Sequence, residues 1–279
     1  MKLLKLFSII SLLILLNIKN SFALEFYDNF PLPIGLYFID YPLYYSADKK
    51  IDEKGNVVND DVGFRLMKNL FRLAYWGRTS SGNPYLLNII IPFGKKEARS
   101  INESDSGLGD IFLASSYTLC KQEKLYFLGT VYFKIPTGDF DEEKNINIGD
   151  GQFDIWFQLN YAQLINKITL ESNLTYIYKF ENSKNDFKSG NEYKFESLVG
   201  YELSDKLRTG VELSASFSEN DKKNGHIIDN SKSKVVQLGP QLFIRISDKV
   251  SVNIKVISDV YVRNNLKGTL MHGRLFFAF

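Results

Sequence analysis

Few residues of this sequence have the types and spacing of a catalytic or metal-binding site. Its 279 residues include two histidines, His226 and His272, and one cysteine, Cys120. A serine hydrolase needs a histidine next to its nucleophile, and a structural metal site needs several histidines or cysteines close together. The two histidines lie far apart in the sequence, and a single cysteine cannot form an intrachain disulfide. The composition therefore predicts no enzyme, no cofactor and no metal site.

Two short motifs contain residue types that perform chemistry in other settings. The run "DEE" at 141–143 lies in a long polar stretch, where a solvated or ion-bridging role is commoner than general acid–base catalysis. The segment "GLGD" at 107–110 has the glycines of a phosphate-binding loop, but it lacks the lysine and the following helix that such a loop requires. We expect Gly107 and Gly109 to open a strand, and Asp110 to point into the protein interior.

The amino-terminal stretch "MKLLKLFSIISLLILLNIKNSFA", residues 1–23, has the layout of a secretory signal peptide. Lys2 and Lys5 precede an apolar run, and Ala23 completes a small-residue cleavage site. The apolar run is shorter than the ~20 residues of a membrane-spanning helix, which favours removal of the segment over anchoring. The chain has 34 basic and 32 acidic residues, and three of the lysines lie in this segment. No basic patch remains to predict a nucleic-acid partner.

A strict two-residue alternation of apolar and polar residues recurs along the rest of the chain. In "QFDIWFQLNY" at 152–161, Phe153 and Ile155 fall on one face and Asp154 on the other, with Trp156 as the exception. Such alternation is the period of a strand whose two faces meet different environments. At roughly a dozen residues, the strands exceed the ~5 to 6 typical of soluble sheets and satisfy the ~9 to 11 needed to cross a membrane. Twelve strands are predicted, near residues 34–45, 62–75, 84–92, 108–119, 125–135, 151–163, 167–180, 191–203, 207–218, 234–246, 250–262 and 268–279.

Short and long connections alternate between these strands. Tight links such as "INK" at 165–167 and "SDK" at 204–206 and 247–249 separate long polar stretches such as "TGDFDEEKNINIG". Outer-membrane barrels have short turns on the periplasmic side and long loops outside. The sequence therefore predicts an all-β, single-domain fold over residues 34–279, a transmembrane antiparallel up-and-down β-barrel of about 12 strands. A soluble sandwich or lipocalin-like barrel also alternates, but the strand length disfavours it.

The polar face of each strand is expected to line the barrel lumen. A lysine or arginine exposed to lipid at the bilayer midplane costs about 2 to 4 kcal/mol. Alternation also turns His272 inward, whereas a lipid hydrolase would need its histidine on the outer face, so lipid hydrolysis is disfavoured. The expected lumen-facing residues are Asp110, Lys134, Asp154, Glu171, Lys194, Glu196, Glu202, Arg208, Glu212, Arg245, Lys255, Asp259, His272 and Arg274.

The barrel wall is expected to have two irregular places and an aromatic girdle. The segment "FRLMKNLFRLAYW" changes phase between Leu66 and Phe71, which predicts a bulge. A proline interrupts a β ladder, so we expect a bulge or kink at Gly239 and Pro240. Aromatic residues near the predicted strand ends, Trp76 among them, are expected to form the girdles at the membrane interfaces.

The chain ends in "MHGRLFFAF", residues 271–279, which alternates to its last residue. Leu275, Phe277 and Phe279 fall on the apolar face. A carboxy-terminal aromatic residue on such a strand resembles the signal that the barrel assembly machinery reads. We therefore expect this strand to close the barrel against the first strand.

Two glycine-rich stretches, "SDSGLGDIFL" at 104–113 and "FKIPTGDFDEEKNINIGDGQFDIWFQLNY" at 133–161, carry a family resemblance. They resemble the outer-membrane transporter family of the meta-pathway of phenol degradation, which is related in kind to the long-chain fatty acid transporter barrels. The resemblance implies residence in the outer-membrane bilayer and passive passage of a small hydrophobic or aromatic substrate. It supplies no defined substrate-binding residue.

Two questions stay open from the sequence. The segment "LEFYDNFPLP" at 24–33 is either a plug in the lumen or a periplasmic tail. The barrel is either a transporter, as the resemblance implies, or a structural or adhesive barrel whose loops do the work. The sequence identifies neither the compound, the direction of transport nor the state of the pore.

Overall fold

Twelve long strands form the wall of a closed antiparallel barrel in the computed structural model, which describes residues 24–279. The expected signal peptide, residues 1–23, lies outside the described residues. Each strand pairs with the next one along the chain, and the last pairs with the first. The strands are β1 (Gly35–Ile51), β2 (Phe64–Arg78), β3 (Pro84–Ala98), β4 (Ile111–Gln122), β5 (Leu125–Ile135), β6 (Asp154–Ile165), β7 (Ile168–Lys179), β8 (Glu192–Ser204), β9 (Leu207–Ser218), β10 (Lys234–Arg245), β11 (Val250–Arg263) and β12 (Asn265–Ala278). The predicted twelve-stranded, all-β barrel is confirmed.

Long loops lie at one end of the barrel and short turns at the other. The long loops are residues 52–63, 99–110, 136–153, 180–191 and 219–233. Parts of these loops form short strands: Val57–Asn59 pairs with β1, Glu103–Leu108 pairs with β3, and Phe187–Lys188, Lys222–Lys223 and His226–Ile227 form a small separate sheet. At the long-loop end, Asn264 alone joins β11 to β12, with a φ of 49° in the left-handed region that asparagine tolerates.

Helix is almost absent from the described part of the chain. It is limited there to one short 3-10 turn, Arg99–Ile101. Within residues 24–279, no helix has both the length and the apolar character to cross a membrane.

Alternation along each strand separates an inner from an outer face. On β6, Asp154, Trp156 and Gln158 are buried inside the barrel, whereas Phe157 and Leu159 are exposed on its outside. Large apolar side chains are exposed all around the wall, and so extensive an apolar surface marks contact with a membrane rather than with water. This outer surface includes Phe71, Leu73, Leu87, Leu113, Phe133, Leu174, Phe195, Val199, Val211, Leu238, Ile254, Val256 and Met271.

Several strands extend farther toward the long loops than the alternation predicts. β1 continues to Ile51 and β3 to Ala98, whereas the sequence pattern ends near residues 45 and 92. The added part of β3 pairs with Glu103–Leu108. These extensions carry lysines and acids because a ladder that projects beyond the bilayer needs no apolar outer face. Apolar alternation therefore ends before the ladder does.

The bulge predicted between Leu66 and Phe71 is wrong. β2 pairs with β1 and with β3 in one continuous register. The even-numbered residues of β2 face inward throughout, and they mix leucines with Lys68 and Arg72. Asn69 lies on the outer face and donates a hydrogen bond to Asp40 of β1, 3.2 Å away. The apparent change of phase is a change in the polarity of both faces, not in the backbone.

The irregularity predicted at Gly239 and Pro240 is displaced along β10. The register shift between β10 and β11 lies between Val236 and Gln237. Gly239 and Pro240 keep an unbroken register with β9, while the paired positions with β11 skip both residues. A Cβ atom on Gly239 would lie 1.9 Å from the carbonyl oxygen of Val256. At Gly239 the two strands therefore lie too close together for a residue that has a Cβ atom.

Trp76 does not belong to an outer aromatic girdle. It lies on the inner face of β2, together with Leu70 and Ala74, and only 3% of its surface is exposed. The residue is close to a strand end, as expected, but its even-numbered position directs the indole inward.

Candidate functional site

The barrel interior has two chemically different walls. Inward side chains of β1 to β7 form the aromatic wall, which is mostly apolar. It consists of Tyr37, Ile39, Tyr41, Leu70, Ala74, Trp76, Leu86, Ile90, Phe112, Leu128, Trp156 and Ile177. The charged wall faces it and comes from β7 to β12. It consists of Glu171, Lys194, Glu196, Glu212, Gln241, Lys255, His272 and Arg274, all buried.

Residues 24–30 lie inside the barrel against the charged wall, and we call them the amino-terminal plug. The Leu24 carbonyl oxygen accepts hydrogen bonds from Gln241 Nε2 and Lys255 Nζ, each at 2.8 Å. The side chains of Leu24 and Phe26 pack with Leu198 of β8 and Phe243 of β10. In the structure, residues 24–30 of the segment 24–33 are mostly buried in the lumen, whereas Pro33 is exposed.

Glu25 brings three cationic or titratable side chains of the charged wall together. Its Oε1 atom lies 2.5 Å from His272 Nδ1 and 3.9 Å from Lys255 Nζ, and its Oε2 atom lies 3.3 Å from Arg274 Nε. Arg274 also contacts Asp28 Oδ1 at 2.9 Å. Burial of a carboxylate is tolerable only with such compensation. The side chains of Glu25 and Asp28 therefore attach the plug to the charged wall.

Backbone groups of the plug are held by Glu171 of β7. The carboxylate accepts hydrogen bonds from the Tyr27 N–H at 2.5 Å and from the Asn29 N–H at 3.0 Å. The Asn29 amide donates to Asn173 Oδ1 at 2.9 Å and accepts from Asn160 Nδ2 at 3.0 Å. The plug thus supplies backbone donors to the buried Glu171 carboxylate and extends the hydrogen-bond network of Asn160 and Asn173.

A second charged cluster lies nearer the long loops, around Lys134 of β5. Its Nζ atom lies 2.7 Å from Asp154, 2.9 Å from Asp150 and 4.0 Å from Asp110. Asp110 also accepts hydrogen bonds from the N–H groups of Gly138 and Asp150, at 3.0 and 2.9 Å. The cluster therefore ties loop 136–153 to the end of the barrel.

Two carboxyls of this cluster lie outside the strands and have opposite pKa shifts. Burial, together with the nearby charge of Asp150, raises the pKa of Asp110 to about 6. Burial would also raise the pKa of Asp150, but the Lys134 and Lys96 cations outweigh it and hold that pKa well below its usual range. At neutral pH, Asp150 is consequently the firmly ionised partner of Lys134.

Three cavities follow one another among the described residues of the interior. The largest, about 260 Å³, opens at the short-turn end between the plug and the aromatic wall, and Phe30, Trp76 and Phe276 line it. The middle cavity, about 50 Å³, shares Asp28, Arg72 and Trp76 with the first. The third, about 70 Å³, lies toward the long loops beside Lys134 and Trp156. The first two cavities lie along the aromatic wall, where the plug does not fill the lumen.

The residues expected to face the lumen occupy four places. Asp110, Lys134 and Asp154 belong to the Lys134 cluster, and Glu171, Lys194, Glu196, Glu212, Lys255, His272 and Arg274 surround the plug. Asp259, near the long loops, accepts a hydrogen bond from the Tyr45 hydroxyl at 2.9 Å. Toward the short-turn end, Arg208 pairs with Glu202, and Arg245 is exposed at the mouth of the largest cavity.

Several interior residues escaped the sequence reasoning. Glu25, Asp28 and Asn29 of the plug lie in a segment without periodicity, so no pattern indicated their orientation. Lys68 and Arg72 face inward from β2. Their even-numbered positions, shared with the inward-facing Leu66 and Leu70, would have predicted this orientation. The prediction of a bulge between Leu66 and Phe71 prevented that inference.

Of the two histidines, one lies inside the barrel and the other in a loop. His272 faces Glu25, and its ring stacks on Tyr41 inside the barrel, with 5.7 Å between centroids. His226 is exposed in a loop strand. Within residues 24–279, no three histidine, cysteine or carboxylate side chains are grouped so as to hold a metal ion.

The carboxy-terminal strand closes the barrel. β12 pairs with β1 from Asn265 to Ala278, and the Phe279 N–H donates to the Leu36 carbonyl oxygen at 3.2 Å. Leu275 is exposed on the outer face and Phe277 is half-buried there, while the terminal Phe279 is 75% exposed. Its aromatic ring contributes little to packing within the chain.

Residues 47–274 match the model of a family described as "Putative MetA-pathway of phenol degradation". An outer-membrane channel from Pseudomonas putida F1 has a similar crystal structure, with a TM-score of 0.86 at 17% identity, covering 92% of this chain and 100% of that one. The β domain of the Bordetella autotransporter BrkA is also similar, with a TM-score of 0.53 at 9% identity, covering 88% and 100%. No curated protein sequence matches. At these identities the two structures support the barrel fold alone.

Proposed function

Because the chain belongs to the family described as the MetA pathway of phenol degradation, we propose that it is an outer-membrane channel for small hydrophobic or aromatic compounds. In this proposal the chain is exported, its signal peptide is removed after Ala23, and the barrel assembly machinery inserts it into the outer membrane. The short turns and both mature termini then face the periplasm, as in other outer-membrane barrels.

The aromatic wall is the observation that carries this proposal. A pore for ions or sugars needs polar groups all around its path, whereas here Trp76, Leu86 and Ile90 form an apolar strip beside the cavities. An apolar molecule gains about 25 cal/mol for each Å² of surface that it buries against such a strip. Thr130, Gln158 and Asn160 line the same middle cavity and can hydrogen-bond a hydroxyl group. A mostly apolar lining with a few polar groups suits a phenolic molecule.

Passage in this proposal is passive and depends on the plug. The cavities between the plug and the aromatic wall are about 50 and 260 Å³, smaller than most ligand pockets of about 300 Å³ or more. Passage therefore requires the plug to leave its position against the charged wall while the barrel stays intact. A substrate shifts this equilibrium only by binding more tightly when the plug is displaced.

Uptake by whole cells tests the proposal. Cells with and without the gene are given a labelled phenolic probe and, separately, a hydrophilic probe of similar size. We expect the gene to increase the initial uptake rate of the phenolic probe. Leu86→Asn, which keeps the branching and the number of non-hydrogen side-chain atoms but places an amide on the aromatic wall, should reduce that rate about tenfold or more, because a buried leucine contributes about 1.5 to 3 kcal/mol of apolar contact and about 1.4 kcal/mol is a factor of ten.

The matched control is Leu87→Ala, because Leu87 is the neighbouring residue on the outer face of β3. It should leave both uptake rates unchanged. Equal uptake of the phenolic probe with and without the gene would reject the channel. The result would then favour the structural or adhesive barrel, an alternative supported by how closely the plug fits the charged wall.

A further inference from the structure

Leu24, the first residue of the plug, is positioned by all of its groups. Its carbonyl oxygen is bound by Gln241 and Lys255, and its side chain lies in the cluster of Phe26, Leu198 and Phe243. Its backbone nitrogen lies 3.3 Å from Glu196 Oε1. The nitrogen of Leu24 is therefore fixed deep inside the barrel and next to a carboxylate.

Two buried carboxylates near Leu24 each have one oxygen without a donor. Glu196 Oε2 and Glu212 Oε1 accept no hydrogen bond from the described residues, although both atoms are shielded from solvent. Lys194 contacts Glu196 through Oε1 at 2.7 Å, and Lys255 contacts Glu212 through Oε2 at 2.9 Å. Lys255 is also shared with Glu25. A buried carboxylate oxygen without a donor is costly, so the pair can accommodate a further cation.

The two carboxylates lie near each other on neighbouring strands. In the register of β8 with β9, Leu198 pairs with Glu212 and Glu196 pairs with Ser214. Glu196 and Glu212 are thus diagonal neighbours on the inner face, at about 7 to 8 Å between Cα atoms. A small cationic group at the Leu24 nitrogen would contact Glu196 directly. Its charge would also act on Glu212, whose Oε2 atom shares its donors, Gln241 and Lys255, with the Leu24 carbonyl oxygen.

We propose that Glu196 and Glu212 form a binding site for a primary ammonium group, and that its ligand is the α-ammonium of Leu24. A peptide nitrogen at this position has one N–H and no charge. Hydrolysis of the Ala23–Leu24 peptide bond consumes a water molecule and leaves a carboxyl group on Ala23 and an amine on Leu24. Protonation of that amine from solvent gives an ammonium with three N–H donors and a positive charge. Those donors supply what Glu196 Oε2 and Glu212 Oε1 lack. Removal of the signal peptide therefore has a second role besides export. It creates the charged group by which the first residue of the plug binds to the charged wall. This inference depends on cleavage after Ala23 and not on the proposed substrate.

Competitive acetylation of amines tests the site. The protein is purified folded from outer membranes, its intact mass establishes whether it begins at Leu24, and a trace of acetic anhydride then labels its amines. Exposed Lys167 serves as the internal standard. We expect the α-amine of the folded protein to react at least tenfold more slowly than that of the urea-unfolded protein. The double variant Glu196→Gln and Glu212→Gln should raise the folded rate at least tenfold.

Glu202→Gln is the matched control, since Glu202 is a carboxylate of the same strand that pairs with Arg208. It should leave the α-amine protected. Heat-dependent gel mobility establishes that each variant is folded, and if the double variant does not fold, Glu196→Gln alone should raise the rate at least threefold. A mature chain starting elsewhere, rapid labelling of the folded wild type, or full protection in the folded glutamine variants would each overturn the proposal. None of these measurements depends on transport.

Discussion

Glu25 connects the plug to the charged wall more than any other residue. Its carboxylate lies among His272, Lys255 and Arg274, and the side chain is fully buried. Breaking a buried ion pair by removing one partner typically costs about 3 to 5 kcal/mol, because the other charge stays buried without compensation. Without the Glu25 carboxylate, Lys255 and Arg274 would face the plug without this partner. This cost applies only while the plug is in place, so it favours displacement of the plug.

Glu25→Gln should therefore favour the state in which the plug is displaced from the lumen. We expect the open probability of single channels in planar bilayers to rise at least tenfold, because a few kcal/mol changes such an equilibrium by more than that factor. Glu53→Gln, on an exposed loop residue, is the control and should behave as wild type. An unchanged open probability in a folded Glu25→Gln barrel would show that the plug does not depend on this carboxylate.

Asp150 gives a pH-dependent prediction. Burial would raise the pKa of Asp150 in the folded protein, but the positive charges of Lys134 and Lys96 outweigh this effect. They hold the pKa below its ordinary value of 3.8. A depressed carboxyl pKa stabilises the folded state above the ordinary value, and the contribution is lost as pH falls through the folded pKa.

Asp150→Asn should lower the unfolding free energy by about 1.5 kcal/mol at neutral pH. Because the charge of Asp150 also raises the pKa of Asp110 to about 6, the difference from wild type should grow somewhat as pH falls from about 8 to 5, and it should shrink below about pH 4. Urea titrations of micelle-bound protein at several pH values measure it. A difference that instead grew below pH 4 would reverse the sign assigned to this carboxyl.

Among the elements, β10 departs from regular pairing near Gly239. Gly239 meets the Val256 carbonyl oxygen so closely that a methyl group would have to displace the neighbouring strand. Overpacking of this kind costs about 1 to 3 kcal/mol. Gly129 of β5 is different, because the nearest atom to an added Cβ there is a side-chain carbon of Leu119 at 3.4 Å.

Gly239→Ala should thus reduce the unfolding free energy by about 1 to 3 kcal/mol, measured by urea unfolding in micelles. Gly129→Ala is the matched control and should change it by less than about 0.5 kcal/mol. Equal stability of the two variants would mean that β10 and β11 can separate at Gly239 without cost.

Strand-level structure was largely predictable because lipid and lumen impose opposite demands on alternate residues. That demand ends where a strand leaves the bilayer, so the ends of β1 and β3 were missed. It is also weak on β2, where Asn69 faces outward and Leu70 inward. The plug could not be derived from any local pattern, because its contacts are distant in sequence: Tyr27 meets Glu171 across 144 residues, and Leu24 meets Lys255 across 231.

At the scale of the whole molecule, closure depends on the last strand. β12 completes the ladder with β1, and Phe279 adds one backbone hydrogen bond to Leu36 while its ring stays exposed. The ring therefore contributes little to stability once the barrel has formed. Its position suits recognition during assembly.

Deletion of Phe279 should lower the amount of protein in the outer membrane several-fold, while changing the urea midpoint of refolded protein little. Immunoblots of membrane fractions and refolding into micelles separate the two effects. Phe279→Tyr keeps an aromatic terminus and should restore the membrane level. A deletion that reduced stability and membrane level in proportion would assign Phe279 a structural role.

The division of the lumen into two walls has a consequence for how this barrel can vary. Most polar contacts of the plug come from one sector of the circumference, β7 to β12, with Asn160 of β6 as an exception. The cavity of about 50 Å³ is lined mainly by β1 to β7, whereas the cavity of about 260 Å³ also reaches Phe243 of β10 and Phe276 of β12. We therefore expect sequence change in β2 to β5 to alter which molecules the proposed channel accepts while leaving most contacts of the plug in place. A chimera that exchanges those four strands between relatives should transfer selectivity and leave gating with the recipient.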